Sequence, residues 1–304
     1  MINLRGLPKI RDSLSYLYVE HCCIEKDNSA LKLIDASGVV PIPIASLSVL
    51  MLGPGTKITH DAVTIAVQNG CSLVWTGEEG VRTYAAGTGE TRSSTRLLHQ
   101  IHQWANEERR LQIVIKMYQF RFPDPIEKGF TLQQIRGKEG ARVRDTYARL
   151  SQEYNVPWRG RSYNRNSWSN AEPINRAISC ANSCLYGVCH AAIVSSGYSP
   201  AIGFIHIGKQ LSFVYDIADL YKVELTLPVA FKVVSENNPN IESTVRHQLR
   251  DQFRELRILD RIVSDIDQLL QPPEETNYDL DHDFARPLDY WEPPKDLEDK
   301  MLCS

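Results

Sequence analysis

The sequence predicts a multidomain α+β protein, a small N-terminal β domain with one inserted helix followed by an almost wholly helical C-terminal domain. Three observations carry that prediction. Residues 13–85 hold short runs rich in aromatic and β-branched side chains. The stretch "AAGTGETRSST", residues 85–95, has the small, polar, glycine-containing composition of a linker. Beyond it, apolar residues recur at helical spacing as far as residue 270. The expected boundaries are 1–86 for the β domain, 87–95 for the linker, 96–270 for the helical domain and 271–304 for a tail.

Within the β domain, "LSYLYVEHC" reads as a strand with partial alternation. "LKLIDASGVVPIPIASLSVLML" reads as two more, broken at "DASG" and at the prolines. "CSLVWTGEEGVRTYAAG" reads as two short strands joined by the turn "GEEG". Between them "THDAVTIAVQNG" reads as a short helix, with Thr59 as its cap and Gly70 as its stop. In the second domain the helical period runs through "LLHQIHQWANEERRLQIVIKMYQFRF" and residues 131–154, 174–196, 212–236 and 241–270. "NVPWRGRSYNRNSWSNAEP", residues 155–173, is a polar, aromatic and basic loop among these helices. The tail from Gln271 has prolines, acids and no helical period, and reads as flexible.

The 304 residues are 42% hydrophobic and 23% charged, an ordinary soluble composition. The apolar runs fall short of the ~18 residues that suggest a membrane span, and the N-terminus lacks the pattern of a signal peptide. A cytoplasmic protein without membrane contact is expected. The seven cysteines form no paired framework, which fits a reducing compartment. Cys180, Cys184 and Cys189 with His190 match no standard zinc spacing and read as small apolar residues of a buried helix. The net charge of −3 is unevenly spread. Residues 271–304 hold ten acids against three bases, and residues 136–165 hold eight bases against three acids. A basic zone of that kind fits a polyanionic partner, and equally a solvated face.

Asp216 and Asp219 lie three apart in a helical segment, so both carboxylates share one face. His206 precedes them across the short turn "IGKQ". Two carboxylates and an imidazole form a hard, mixed ligand set suited to Mg²⁺ or Mn²⁺. By spacing alone, a hydrogen-bonded core histidine and a solvated carboxylate pair are the commoner readings. Glu139, in "QQIRGKEGARVRDTYARL", shares a helix face with Arg136 and Arg142. It is open to two readings, a surface ion pair or a metal ligand ringed by phosphate clamps. "GPGTK", residues 53–57, lacks the spacing of a nucleotide-binding P-loop.

"RGKEGARVR", "SCLYGV", "GFIHIGKQLSFVYDIADLYK" and "MLGPGTKITHDAV" together closely resemble the CRISPR spacer-acquisition integrase in its type I-E form. The resemblance runs from about residue 8 to 270, in matching order and spacing, and fails only in the tail. It implies a small N-terminal β-sandwich-like domain followed by a C-terminal all-α catalytic domain. It also implies a homodimer, two copies of which bracket a dimer of a small ferredoxin-like CRISPR subunit in a 4:2 complex. The implied DNA partners are a short foreign duplex with 3′ overhangs, the protospacer, and the leader-proximal CRISPR repeat into which it is inserted. Carried over residue by residue, the metal ligands are Glu139, His206 and Asp219, with Asp216 supporting the catalytic site. The implied nucleophile is the donor 3′-hydroxyl, so transesterification needs alignment and a divalent metal rather than a nucleophilic side chain. With water as nucleophile the same site is a DNA endonuclease. A catalytically silent DNA-binding scaffold of the same fold is the alternative, and it has no need of the intact ligand set.

Further positions carry weaker assignments. Arg136, Arg142, Arg144, Lys209 and Lys222 are candidates for phosphate contact. Arg161 and Tyr163 resemble family positions near the donor 3′ end, and Tyr186 and Tyr215 resemble family aromatics near the site. Lys57 and Arg82 of the β domain are candidates for the donor backbone. Two features depart from the family pattern. His21 stands where the type I-E form places an aromatic wedge against the first donor base pair, and an imidazole stacks over less area. The acidic tail, with "LDYWEPP", differs from the one the family uses to sense the protospacer-adjacent motif.

Overall fold

The computed structural model describes residues 15–28, 30–44, 47–77, 83–87, 94–127, 129–161 and 172–272. Arg82, Tyr163, most of the "GEEG" turn, most of the expected linker and the tail beyond residue 272 lie outside them. Strands come first: β1 (Ser15–Val19), β2 (Cys23–Asp27), β3 (Ala30–Asp35), β4 (Gly38–Ile42), β5 (Leu47–Leu52), β6 (Lys57–Ile58), β7 (Ser72–Thr76) and β8 (Thr83–Gly87). They form two four-stranded sheets, ordered β1-β5-β7-β8 and β4-β3-β2-β6. Helix α1 (His60–Gln68) runs between β6 and β7. Thr59 caps it by accepting from the Ala62 amide at 3.3 Å, and Gly70 follows its end with φ of 66°. The segment expected to hold two strands holds three, because Pro41 sits inside β4 rather than ending it. β4 is an edge strand, where a missing N–H is tolerated.

β5 explains how the two halves of the molecule join. Leu50 and Leu52 point into a core shared with Val19, Ile24, Leu31, Ile42, Leu73 and helix α1. Val49 and Met51, one residue out of phase, point the other way into the helical core. β5 is therefore buried on both faces of the first sheet, and "LSVLML" is apolar at every position but Ser48. Its parallel pairs, β1 with β5 and β5 with β7, are the kind that both-face burial favours. Strand-rich and helical regions lie in one unit, Pro8–Glu274.

The helices are α2 (Thr95–Ala105), α3 (Glu107–Arg121), α4 (Leu132–Glu153), α5 (Pro173–Ser195), α6 (Ser212–Tyr221), α7 (Leu227–Ser235), α8 (Ile241–Glu255) and α9 (Ile258–Leu270). The single run expected over residues 97–122 breaks at Asn106, whose side chain accepts from the Arg109 amide and caps α3. Thr131 and Gln134 form a capping box on α4. A π-helical turn, Lys222–Thr226, joins α6 to α7. α5 is long and apolar enough to cross a membrane by length and composition, longer than the apolar runs read from the sequence. It is instead the central core helix, with Ala177, Ile178, Ala181, Leu185, Ala191, Ala192 and Ile193 fully buried. Cys180, Cys184 and Cys189 are buried along it and form no disulfide among the described residues.

Candidate active site

Glu139 projects from α4, and Asp216 and Asp219 from α6; His206 sits in the loop that leads into α6. That loop is held from both sides. Its carbonyls accept from helices α2 and α3: Gln100 donates to Ser199 O and Ile202 O, Trp104 to Gly203 O, and Arg110 twice to Phe204 O. Its amides converge on one carboxylate. Asp216 Oδ2 accepts from the N–H groups of Phe204 and Ile205 at 2.6 and 3.0 Å, and Oδ1 from that of His206 at 2.9 Å. Successive amides that point inward make a small anion cradle, and the side chain of Asp216 fills it with no exposure. Gly203 is required where the loop meets α6, since a Cβ there would collide with the His206 carbonyl oxygen.

The same Oδ1 lies 2.7 Å from His206 Nδ1. This hydrogen bond orients the ring and raises the histidine's pKa above its ordinary value, against partial burial. Nε2 then faces Asp219 Oδ2 at 4.0 Å. Asp219 Oδ1 accepts from Lys222 Nζ at 2.5 Å. Burial works against the Lys222 charge, but Asp219 and Tyr186 outweigh it and hold its pKa above that of ordinary lysine. Arg142 grips both oxygens of Glu139, at 2.8 and 2.9 Å. Arg121 Nη1 lies 3.5 Å from Glu139 Oε1 and 4.0 Å from Asp219 Oδ2, so one guanidinium touches both acids. Two carboxylates, Glu139 and Asp219, thus face three cations.

Two carboxylates and a fixed imidazole nitrogen suit a hard divalent cation in kind. Among the described residues, no three His, Cys, Asp or Glu side chains lie close enough to hold one ion together. Side-chain cations serve as the counter-charges in this arrangement. Arg142 and Lys222, expected as phosphate clamps, direct their donors to Glu139 and Asp219 instead.

Aromatic groups border the cluster. Tyr186 and Tyr215 meet edge to face at 5.1 Å between centroids, Tyr215 stands 6.0 Å from the His206 ring, and Lys222 Nζ lies 4.9 Å over Tyr186. Arg136, Arg144 and Lys209 are exposed. Arg161 is tied to α5, donating to Asn175 O and Ser179 Oγ. His21 and Lys57 belong to the β region. His21 has φ of 50° and bonds Pro54 O through its amide, and the Lys57 amide bonds Cys22 O. No described contact joins either to the Glu139–His206–Asp219 group. Arg121 was missed from sequence. Its signal is a lone cation ending the aromatic-rich run "MYQFRF".

Over residues 121–250, which hold every member of this cluster, the chain matches the family model described as CRISPR associated protein Cas1. A Thermus thermophilus protein named CRISPR-associated endonuclease Cas1 2 is 48% identical over 299 residues, 97% of this chain and 92% of that relative. The Escherichia coli protein named CRISPR-associated endonuclease Cas1 is 43% identical over 270 residues, 87% of this chain and 88% of the relative. Among solved structures, the crystal structure of a TtCas1–DNA complex superposes with a TM-score of 0.79 at 50% identity, covering 87% of this chain and 99% of the other.

Proposed function

The chain belongs to the Cas1 family of CRISPR-associated proteins, and we propose that it is the nuclease and integrase subunit of CRISPR adaptation. The reading rests on one observation. Asp216 fixes Nδ1 of His206, so that Nε2 looks at Asp219 Oδ2 beside the acid Glu139, on one charged cluster. That is the orienting partner a ligating imidazole needs, and a structural histidine needs no second carboxylate at its far nitrogen.

Glu139, His206 and Asp219 are the residues that would hold Mg²⁺ or Mn²⁺. The bound ion would supply Lewis-acid stabilisation of charge at the scissile phosphodiester. Asp216 keeps the imidazole in the tautomer that leaves Nε2 unprotonated. Arg136, Arg144 and Lys209, exposed beside the site, hold DNA phosphates, and Arg161 does so from its anchor on α5. Tyr186 and Tyr215 give the reacting end an aromatic wall. The donor 3′-hydroxyl attacks a phosphodiester of the repeat, forms the new P–O bond and expels the repeat's own 3′-oxygen as an alcohol. With water in place of that hydroxyl, the outcome is cleavage.

The substrates are a protospacer duplex with 3′ overhangs and the leader-proximal repeat. The working assembly is a homodimer, two copies flanking a dimer of the small ferredoxin-like subunit, in the cytoplasm. The solved relative bound to DNA supports the DNA partner. A non-catalytic scaffold is favoured by one observation, the engagement of both candidate ligand carboxylates by Arg142 and Lys222. Strand joining of a pre-processed duplex into supercoiled plasmid, with Mn²⁺ or Mg²⁺ and the small subunit, separates the two. His206→Ala and Asp219→Ala are expected to abolish joining while retaining duplex binding; joining at the parent rate by either variant overturns the catalytic assignment of these residues.

A further inference from the structure

Arg121 closes α3 within an apolar run. Its side chain is 6% exposed, and the guanidinium carbon lies 5.1 Å from the centre of the Tyr118 ring. Nε and Nη2 are buried without a hydrogen-bond partner among the described residues. A buried guanidinium with two unmet donors is unfavourable unless nearby anions compensate it. The anions here are Glu139 and Asp219, reached by Nη1 at 3.5 and 4.0 Å. Both contacts are looser than a charge-assisted hydrogen bond, usually about 2.7–2.9 Å. Each acid already has a closer cation, Arg142 on Glu139 and Lys222 on Asp219. What Arg121 adds is positive charge between the two carboxylates, where a cation shared by them would also belong.

We propose that Arg121 is a resident counter-charge, a positioning residue that spaces Glu139 and Asp219 in the metal-free protein and competes with the divalent cation for them. The proposal rests on the metal reading above. The full-length protein is titrated with Mn²⁺, read by calorimetry and by the electron paramagnetic resonance signal of free Mn²⁺. Its melting temperature is measured in EDTA and in Mn²⁺. Loss of a unit charge about 4 Å from the acids should tighten Mn²⁺ binding by Arg121→Met about ten-fold or more. The same variant should melt about 3 °C lower in EDTA and recover in Mn²⁺. In an Asp219→Asn background the EDTA penalty of Arg121→Met should shrink, because the repulsion it uncovers is gone.

An equal penalty in both backgrounds would reduce Arg121 to packing against Tyr118 and overturn the proposal. Parent protein that binds Mn²⁺, beside an Arg121→Met variant of unchanged or weaker affinity, overturns it too and leaves the metal site standing. Parent protein that binds no Mn²⁺ removes the metal reading and this proposal together. Arg121→Gln carries the same test if the methionine variant does not fold.

Discussion

Asp216 holds His206 twice through one oxygen, with Oδ1 2.9 Å from the backbone nitrogen and 2.7 Å from ring Nδ1. The other oxygen takes two further amides of the same loop. One buried carboxylate therefore fixes both where the imidazole is and which nitrogen it presents.

Asp216→Asn should expose that dependence. An amide offers one acceptor oxygen to four donors and sets its own N–H₂ against the rest. Loss of an orienting partner of this kind typically costs about 10–100-fold in metal affinity or rate. Mn²⁺ affinity and strand-joining rate are expected to fall together by that factor, with duplex binding within a few-fold of the parent. Parent-level affinity and rate would mean that the loop is held without the carboxylate.

Gly203→Ala tests the loop from its backbone. The added methyl would collide with the His206 carbonyl oxygen and meet the backbone carbon of Ser212 at 2.8 Å. Neither is the far end of a flexible side chain, so the loop or the start of α6 must shift. Overpacking of this kind costs about 1–3 kcal/mol. A lower denaturant midpoint is expected, together with loss of strand joining even where the variant is fully folded. A variant that joins DNA at the parent rate would show that displacement of the His206 backbone is harmless.

A pH effect is expected from His190, on α5. Its Nδ1 is buried and has no partner among the described residues, and burial holds its pKa below the ordinary 6.5. Below that pH the unfolded chain takes up a proton that the folded chain does not. The stability contribution is therefore present above pH 6.5 and lost as pH falls below it toward the folded-state value. Urea midpoints at about pH 7.5 and about pH 5.5 should drop on acidification in the parent, and drop less in His190→Leu. Equal drops would place the acid sensitivity elsewhere.

Much of the fold is legible because its signals are local. Thr59 and Gly70 mark α1 through hydrogen bonds and dihedral angles that only neighbouring residues determine. The break at Asn106 was hidden, since the apolar period continues across it and a single side-chain cap decides the boundary. Pro41 misled because its effect depends on whether the strand is at an edge, a property of the sheet order.

The acids and the histidine of the site were legible as residue types at helical spacing. Their partners were not. Arg121 meets Glu139 and Asp219 only through the packing of α3 against α4 and α6. The task of Asp216 depends on amides ten to twelve residues earlier in the chain.

The π-helical turn at Lys222–Thr226 has a mechanical consequence. The Leu227 amide bonds the Lys222 carbonyl, five residues back, so the turn takes in one residue more than an α-helix would. Each residue of an α-helix turns the axis by about 100°, and the extra one resets the angular phase of α7 relative to α6. Asp219 can thus face the charged cluster while Ala230, Phe231 and Val233 face the core, two aims that an uninterrupted helix would have locked to each other. Removing one residue from the turn would restore a regular helix and rotate the acid away from its companions, with every side chain of the site still present.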